Sequence, residues 1–264
     1  MIGKEVLTVT LLGTPLVITD YEGLLDRLPD WARRPEPTAV DFCNTQVLTM
    51  RRTDPAFIKA TEVFDYFIPD GMPLVWCLRA MDAPLRDRIY GPTFMRHVMS
   101  HDGEMRHYFL GGSAITSEKL IEKSQVLSGG RFQVAGANSR YSKPDDSGEV
   151  VAEINRLSPD VIWVGLGTPK QQQWVRDNKR HIARGVLLTV GFAFDVNAGT
   201  KLDAPMWMQR VGLTWLFRIS QEPSRLLGRY LKYNSWFVLL CLLDLTRFVM
   251  TSIKRSLGRL FSSS

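Results

Sequence analysis

Short, largely apolar segments alternate with longer stretches of helical pattern along this chain. Strands are predicted at Ala39–Cys43, Arg106–Leu110, Val161–Val164 and Val186–Val190, each of which is bounded by polar or turn residues. Strands and helices that alternate at this spacing are typical of a parallel sheet flanked by helices. The pattern therefore predicts the α/β class, with a Rossmann-like, mostly parallel sheet and helices on both faces.

The stretches before residue 81 are less regular. Val6–Leu12 and Pro15–Ile18 flank a Gly-Thr turn and predict a β-hairpin. Trp31–Pro37, rich in proline and arginine, predicts a loop. Pro55–Phe64 and Pro73–Met81 have helical patterns, and the segment 65–71 between them predicts a second loop, because Asp-Gly after proline is a turn signal.

The segment Pro159–Gln173, PDVIWVGLGTPKQQQ, combines a buried strand with a glycine-rich turn and a polar helix start. Gly165 and Gly167 allow a tight turn and a close approach of the backbone to a ligand. A similar strand edge follows at Gly185–Gly199, and ligands of open α/β sheets bind at the carboxyl ends of strands. These edges indicate a cleft, although the glycines alone favour two ordinary strand-to-helix turns.

Charge is distributed unevenly along the 264 residues. The formal net charge is +6, but residues 201–264 hold ten Lys or Arg and three Asp or Glu, a net of +7, which leaves −1 for the first 200 residues. The length suits one large α/β domain, or one domain with an appendage. The basic C-terminal end predicts contact with an anionic surface.

Several common chemistries lack their motifs in this sequence. The three cysteines, Cys43, Cys77 and Cys241, are widely spaced, form no disulfide framework or zinc spacing, and suit a reducing cytosol. The sequence has no DxD pair, GxxxxGK[ST], GxSxG or GxGxxG. These absences disfavour a metal-bridged nucleotide-sugar site, an NTPase, a hydrolase and a dinucleotide enzyme.

The C-terminal segment from Pro223 has its own pattern. Trp236–Leu243 is a run of eight apolar residues that Asp244 interrupts, which is shorter than the ~20 residues of a membrane-spanning helix. Basic residues flank this run on both sides: Arg225, Arg229 and Lys232 before it, and Lys254, Arg255 and Arg259 after it. An amphipathic helix in a membrane interface is the favoured interpretation. A core or dimerisation helix and a tilted transmembrane helix are the alternatives.

Polar residues near the predicted strand ends are candidates for chemistry. Asp70 lies in a turn, where Asp usually accepts only local hydrogen bonds, but in a cleft it can act as a general base, and Asp65 is the next candidate. Asn44 fits a helix N-cap or a ligand contact. Arg88 lies in a loop and has the side chain suited to bidentate diphosphate contacts.

Three arginines of the C-terminal part, Arg218, Arg225 and Arg229, are spaced seven and four residues apart. On a continuous helix they would share one face, although Pro223 puts that continuity in question. These three arginines are either exposed to solvent or directed at phosphate groups.

In combination, these segments resemble the WecG/TagA/CpsF family of bacterial glycosyltransferases. The matching blocks occur in order from about residue 40 to 230: Asn44, Ile68–Trp76 (IPDGMPLVW), Asp87–Met95 (DRIYGPTFM), Tyr108–Gly112 (YFLGG), Pro159–Trp174, Val190–Gly199 (VGFAFDVNAG), Ala204–Arg218 and Glu222–Tyr230 (EPSRLLGRY). Any one block is weak, but eight in the right order make a specific signal.

The resemblance implies an inverting, metal-independent glycosyltransferase with a fold of the GT-E type and no cofactor. It would transfer N-acetylmannosamine, its uronic acid or glucose from a UDP-sugar to a polyprenyl-diphosphate-linked saccharide in surface polysaccharide synthesis. Residues 1–220 would form the catalytic domain, and residues 221–264 an active-site lid and membrane anchor. The resemblance further implies a peripheral protein of the cytoplasmic face of the bacterial inner membrane, possible self-association and no nucleic acid partner.

The resemblance also implies roles for individual residues. Asp70 would deprotonate the acceptor hydroxyl, and Asn44, Arg88 and Gln171 would line the donor and acceptor pocket. Backbone approach to the substrates would occur at Gly111, Gly165 and Gly167. The arginines Arg218, Arg225 and Arg229 would close over the site and neutralise the departing UDP, since fixed positive charge stabilises such a leaving group.

This sequence departs from the family pattern at four positions. Asp87 is a conservative replacement of Glu, whereas Gln172 replaces Glu, Asp203 replaces Arg and Thr214 replaces Glu. These charge changes leave the donor sugar open. A membrane-associated, non-catalytic binding protein on the same fold is the alternative, and a Rossmann-type oxidoreductase is disfavoured.

Overall fold

The structure is a computed structural model that describes residues 6–139 and 147–261, with side chains described as far as Asp244. Its strands, in chain order, are β1 Thr8–Leu11, β2 Thr14–Val17, β3 Thr38–Cys43, β4 Tyr66–Pro69, β5 Arg106–Gly111, β6 Gln133–Asn138, β7 Val161–Gly165 and β8 Val186–Thr189. They form one eight-stranded sheet in the order β1-β2-β4-β3-β8-β7-β5-β6.

All neighbouring strands of the sheet are parallel except β1 and β2, which form the predicted hairpin. The central strands β3, β8 and β7 are in register, with Val40 opposite Leu188 and Leu188 opposite Trp163. These residues are fully buried, as expected for strands that are covered on both faces.

The helices are α1 Tyr21–Leu25, α2 Leu28–Ala32, α3 Thr45–Thr53, α4 Pro55–Thr61, α5 Met72–Ala80, α6 Gly91–His101, α7 Ala114–Ser128, α8 Ser147–Leu157, α9 Lys170–Asn178, α10 Ala193–Ala198, α11 Met206–Arg210, α12 Thr214–Gln221 and α13 Pro223–Phe261. One hydrophobic core lies between the sheet and α3, α4, α5, α8 and α9. The other core lies between the opposite face and α1, α2, α6, α7 and α10. The predicted α/β class with helices on both faces is confirmed.

Some predicted elements were wrong in type or length. The segment 65–71, predicted as a loop, contains strand β4, which pairs with both β2 and β3. The predicted Trp31–Pro37 loop overlaps the end of α2, where Trp31 is buried and stacks on Tyr66. In both cases packing against distant parts of the chain outweighs the local turn signals.

The C-terminal part comprises two helices. Helix α12 ends at Gln221 and α13 starts at Pro223, so Arg218 and Arg225 lie on separate helices, as the proline suggested. Helix α13 packs along α3: the Thr45 hydroxyl donates to Asn234 Oδ1 (2.7 Å), the Thr49 hydroxyl donates to the Tyr233 carbonyl (3.2 Å), and an ion pair joins Arg52 to Asp244 (3.6 Å).

Within the described residues, no helix combines the length and the apolar character needed to cross a membrane. The side chains of Lys254, Arg255 and Arg259, which were predicted to flank the apolar run, lie outside the described residues. The division of the chain at residue 220 stays a prediction.

Candidate active site

The predicted site residues gather at the carboxyl ends of adjacent strands. Asn44 follows β3, Asp70 follows β4, and the turn before Gln171 follows β7. In the sheet, β4 lies beside β3, and β8 lies between β3 and β7. The helices that follow β3 and β8 pack on opposite faces of the sheet, which opens a crevice between them.

Two adjoining cavities occupy this crevice. A polar cavity of about 230 Å³ lies over the ends of β7 and β8, and its wall includes Gly165, Gly167, Gln171 and the arginines Arg218, Arg225 and Arg229. An apolar cavity of about 490 Å³ lies between α5 and α13, and Arg88 is in its wall. A few residues line both cavities: Asn44, Gln46, Asp70, Tyr90, Arg218 and Arg229.

Asp70 lies at the junction of the cavities with a fixed orientation. Its backbone N–H donates to the Cys43 carbonyl (2.8 Å), and its Oδ1 accepts from the backbone N–H of Gly91 (2.7 Å), the first residue of α6. Its Oδ2 accepts no hydrogen bond from any described residue, so it is available to a ligand. Burial raises the pKa of the Asp70 carboxyl to about 6, against the lowering effects of Arg88, the Gly91 N–H and Arg218.

Asn44 combines the two roles considered from sequence. Its Oδ1 accepts from the Val47 N–H (3.2 Å) and so caps α3, while the residue also lines both cavities. Gln171 is almost fully buried, and its Oε1 accepts from the Gly167 N–H (3.1 Å). This bond holds the turn after β7 in shape at the wall of the polar cavity.

Two of the three predicted glycines line the polar cavity, and the third does not. Gly111, at the end of β5, has a φ of 113°, and a Cβ there would lie 2.8 Å from the Gly165 carbonyl. A Cβ on Gly165 would lie 2.7 Å from the Phe194 ring. Gly111 is not among the lining residues, and its position allows β5 and β7 to approach beneath the cavity.

Arg88 is buried and held by neutral groups. Its Nη2 donates to Gln209 Oε1 (3.2 Å) and Thr214 Oγ1 (3.4 Å), and its guanidinium lies 4.1 Å from the centre of the Tyr90 ring. No carboxylate among the described residues forms an ion pair with it. Its positive charge therefore remains available to the apolar cavity, which it lines.

The three C-terminal arginines converge on the polar cavity but differ in their partners. Arg225 pairs with Glu222, which also binds Lys201 (2.8 Å). These hydrogen bonds, first from Arg225 and then from Lys201, lower the pKa of Glu222 to about 2. Arg218 stacks 3.8 Å from the centre of the Phe192 ring.

Arg218 and Arg229 retain unused hydrogen-bonding capacity. The Nε atom of each is buried and has no hydrogen-bond partner among the described residues, and neither forms an ion pair there. Burial is the main cause that lowers the pKa of Arg229, and nearby Arg218 and Arg225 lower it further. Two cations that lack counter-charges at a cavity wall are suited to bind an anion.

The unusual residues at positions 172, 203 and 214 have partners in the structure. Gln172 is buried below the polar cavity and donates through Nε2 to both carboxylate oxygens of Asp41 (3.1 Å each). Asp203 accepts from the Tyr90 hydroxyl (2.8 Å) and from Gln209 (3.1 Å). The sequence interpretation missed Asp41, Tyr90, Phe192 and Gln209, because no motif marks side chains that meet only after folding.

Asp65, the second candidate base, lies at the other end of β4 from Asp70. It pairs with Lys179 (2.7 Å) and accepts from the Ala39 N–H (2.7 Å), and it lines neither cavity. Among the described residues there is also no group of three or more His, Cys, Asp or Glu that could hold a metal ion.

Two bacterial transferases are similar in sequence to this chain. A protein of Staphylococcus aureus (strain MW2), named N-acetylglucosaminyldiphosphoundecaprenol N-acetyl-beta-D-mannosaminyltransferase, is 25% identical over 186 residues, which cover 69% of this chain and 72% of the relative. A protein of the same name from Bacillus spizizenii is 26% identical over 174 residues, covering 65% of this chain and 66% of the relative.

The sequence model of the glycosyl transferase WecG/TagA/CpsF family matches residues 9–249, which include both cavities and nearly all of the described chain. The predicted resemblance is thereby confirmed, and the chain belongs to the WecG/TagA/CpsF family of glycosyltransferases.

Proposed function

We propose that this glycosyltransferase transfers a sugar from a UDP-sugar to a hydroxyl of a polyprenyl-diphosphate-linked saccharide, with inversion and without a metal ion. The observation that carries the proposal is the position of Asp70, whose unpaired Oδ2 lies where a polar and an apolar cavity meet. A transferase of this kind must bring a nucleotide sugar and a lipid-linked hydroxyl together at one base.

The donor would occupy the polar cavity. Its diphosphate would contact Arg218 and Arg229, whose buried Nε donors lack partners among the described residues, and the N–H groups of the turn after β7. Anions bind readily where backbone N–H groups and arginines converge. Asn44 and Gln171 would orient the donor from the opposite wall.

The reaction would be a single displacement. The acceptor hydroxyl loses its proton to Asp70 Oδ2 as its oxygen forms the new bond to the anomeric carbon. The bond from that carbon to the diphosphate oxygen breaks, and its electron pair leaves with UDP. Fixed positive charge at Arg218 and Arg229 stabilises the leaving group. Attack opposite to the leaving group inverts the configuration.

Two relatives whose names specify an N-acetylmannosaminyl group favour UDP-N-acetylmannosamine as the donor. Their names also specify a diphosphoundecaprenol acceptor, which favours the corresponding acceptor here. The three charge departures near the site keep the uronic acid and glucose as alternatives to be tested.

We further propose peripheral attachment at the cytoplasmic face of the membrane. Large apolar side chains are exposed on α5 (Trp76), α11 (Met206, Trp207) and α13 (Leu231, Trp236). Such patches mark interaction surfaces, and the basic C-terminal region favours an anionic lipid surface. Self-association stays a prediction from the resemblance.

The test is UDP release from the three candidate UDP-sugars with a polyprenyl-diphosphate-linked N-acetylglucosamine acceptor in detergent. Asp70→Asn should lower kcat by about 10²- to 10⁴-fold, the usual contribution of a general base, without weakening UDP binding. The matched control, Asp65→Asn, should keep full turnover. Donor binding without turnover in the wild type would favour the non-catalytic alternative, and full turnover of Asp70→Asn would exclude it as the base.

A further inference from the structure

The larger cavity has an apolar far end that the chemistry proposed above does not use. On one side, α5 contributes Met72, Pro73, Trp76 and Cys77; on the other, α13 contributes Tyr233, Phe237, Val238, Cys241 and Leu242. Residues 233, 237 and 241 repeat every four positions and therefore form a stripe along one face of α13. The cavity has a polar end at Asp70, Arg88 and Arg229 and an apolar end at Cys241 and Leu242.

This shape suits a ligand with a charged head and a long hydrocarbon tail. From Arg229 to Leu242 the helix rises roughly 20 Å at 1.5 Å per residue, which gives the apolar wall the length of an extended chain segment. The volume of about 490 Å³ lies within the range of ligand sites, and the walls near Cys77 and Cys241 offer few hydrogen-bonding groups. A sugar or nucleotide would be poorly solvated there.

Close packing on the α11–α12 side keeps the cavity narrow. Gly212 has a φ of 73°, and a Cβ at this position would lie 2.7 Å from the Trp76 ring. The connection between α11 and α12 therefore closes directly against Trp76. Along α13, the lining residues Val238 and Leu242 are each more than half exposed, so this side of the cavity is open to the surface.

We infer that the cavity between α5 and α13 holds the first isoprene units of the acceptor lipid, with the acceptor diphosphate beside Arg88 and the rest of the chain leaving along α13. This inference rests on the proposed function for the identity of the acceptor. It assigns to α5 and α13 the recognition of the prenyl chain, and to Asp70 the recognition of the sugar.

Two native cysteines make it possible to detect a ligand at the apolar end of the cavity, because a bound ligand would shield their thiols from alkylation. The Sγ atoms of Cys77 and Cys241 lie 3.9 Å apart in the cavity wall, and both residues are partly exposed. The third cysteine, Cys43, is fully buried in the core. The hydrogen bond from Cys241 lowers the pKa of the Cys77 thiol, which favours its alkylation.

The first experiment is alkylation of the reduced full-length protein by N-ethylmaleimide, followed residue by residue with mass spectrometry. Undecaprenyl diphosphate at ten times its dissociation constant should slow the labelling of Cys77 and Cys241 by about 10-fold, as the bound fraction requires. Geranyl diphosphate, which is too short to reach these thiols, and inorganic diphosphate should protect much less. Labelling of denatured protein provides the reference for all three cysteines.

Two outcomes would overturn the inference. Equal protection by inorganic diphosphate would mean that an anion bound at the arginine end is enough to shield the two thiols, with no prenyl chain in the cavity. Equal protection by phosphatidylglycerol vesicles that contain no prenyl lipid would assign the cavity to phospholipid acyl chains or to membrane docking. Protection by undecaprenyl diphosphate in an enzyme that shows no turnover would support the inference while the proposed reaction fails.

A matched pair of variants gives a kinetic test. Val238→Trp places a large side chain in the cavity wall, whereas Leu239→Trp adds the same bulk at the next residue of α13, which does not line the cavity. Val238→Trp should raise KM for the undecaprenyl acceptor without changing KM for UDP-sugar or for an acceptor with a short alkyl chain. Equal KM values in the two variants would contradict the inference while leaving the transferase reaction intact.

Discussion

At the scale of single residues, the proposed role of Asp70 as the base makes the pH dependence of the reaction a consequence of its burial. Burial raises its pKa to about 6, and a base must be ionised to accept the acceptor proton. We therefore expect kcat/KM to fall as pH decreases below about 6 and to be flat above about pH 7. The measurement is a pH profile of UDP release at low acceptor concentration.

A second buried carboxyl provides the control for this profile. Burial also raises the pKa of Asp41 to about 6, but this residue is fully buried and lines neither cavity. Asp41→Asn should keep the acid limb of the profile in place. A limb that disappears in Asp41→Asn would assign the titration to Asp41 and contradict the role of Asp70.

The contact between Gln172 and Asp41 predicts a coupled pair. Gln172→Glu would bring two fully buried carboxyl groups together and remove the amide donor, which should lower the free energy of unfolding by roughly 2–4 kcal/mol. Adding Asp41→Asn restores an amide opposite a carboxylate and should recover most of this loss. Urea denaturation of the single and double variants measures the coupling.

Strictly additive effects in that cycle would contradict the pairing. Gln172 stands where the family resemblance implies Glu, and its amide donates to the Asp41 carboxylate on β3. The sequence alone could not identify this contact, because the two residues are 131 positions apart.

At the scale of elements, the thiols of α5 and α13 offer a reversible connection between the two walls of the apolar cavity. Diamide should oxidise Cys77 and Cys241 to a disulfide, with both thiol protons and two electrons reducing the azo group to a hydrazine. A disulfide requires the sulfurs to approach from 3.9 Å to about 2.05 Å. The bond would fix the distance between α5 and α13 at the apolar end of the cavity.

We expect the oxidised protein to bind UDP normally but to react more slowly with a long-chain acceptor, and dithiothreitol to restore the rate. Mass spectrometry of the intact protein detects the loss of two hydrogens. Cys77→Ser, which nearly conserves side-chain volume, should remain fully active after diamide treatment. A loss of activity in Cys77→Ser would attribute the effect to another site.

The strands and helices also show which parts of the fold can be predicted from sequence patterns. The buried strands β3, β5, β7 and β8 were predicted because their composition is apolar whatever they pair with. Strand β4 was missed because its four residues are followed by an Asp-Gly turn, and only the hydrogen bonds from β2 and β3 on either side make it a strand. The three C-terminal arginines converge on the polar cavity, as the family resemblance implied. They do so although α12 and α13 are separate helices, whereas their spacing would place them on one face only of a continuous helix.

At the scale of the whole molecule, the proposed roles of α13 combine membrane attachment with catalysis. A chain that ends at Ser220 retains the entire sheet but loses the buried side chains of Leu226 and Phe237, which each contribute roughly 1.5–3 kcal/mol. We expect this truncated protein to remain folded by near-ultraviolet circular dichroism and to lose binding to anionic vesicles in sedimentation assays. Most turnover should be lost as well.

Retained vesicle binding by the truncated chain would contradict the role of α13 and shift the membrane contact to α11. Met206 and Trp207 on that helix are each more than 60% exposed, so Trp207→Ser in the truncated chain would then test the alternative. Salt dependence separates the contributions, because attraction between basic residues and anionic lipid is screened whereas apolar insertion is not.

Arg229 and the apolar stripe at residues 233, 237 and 241 belong to the same rigid helix. Any displacement of that helix therefore withdraws leaving-group charge and acceptor wall together. In the proposed reaction, a protein whose α13 is displaced would hold the nucleotide sugar without Arg229 beside the leaving group. We therefore expect displacement of α13 to slow hydrolysis of the donor by water as well as transfer to the acceptor.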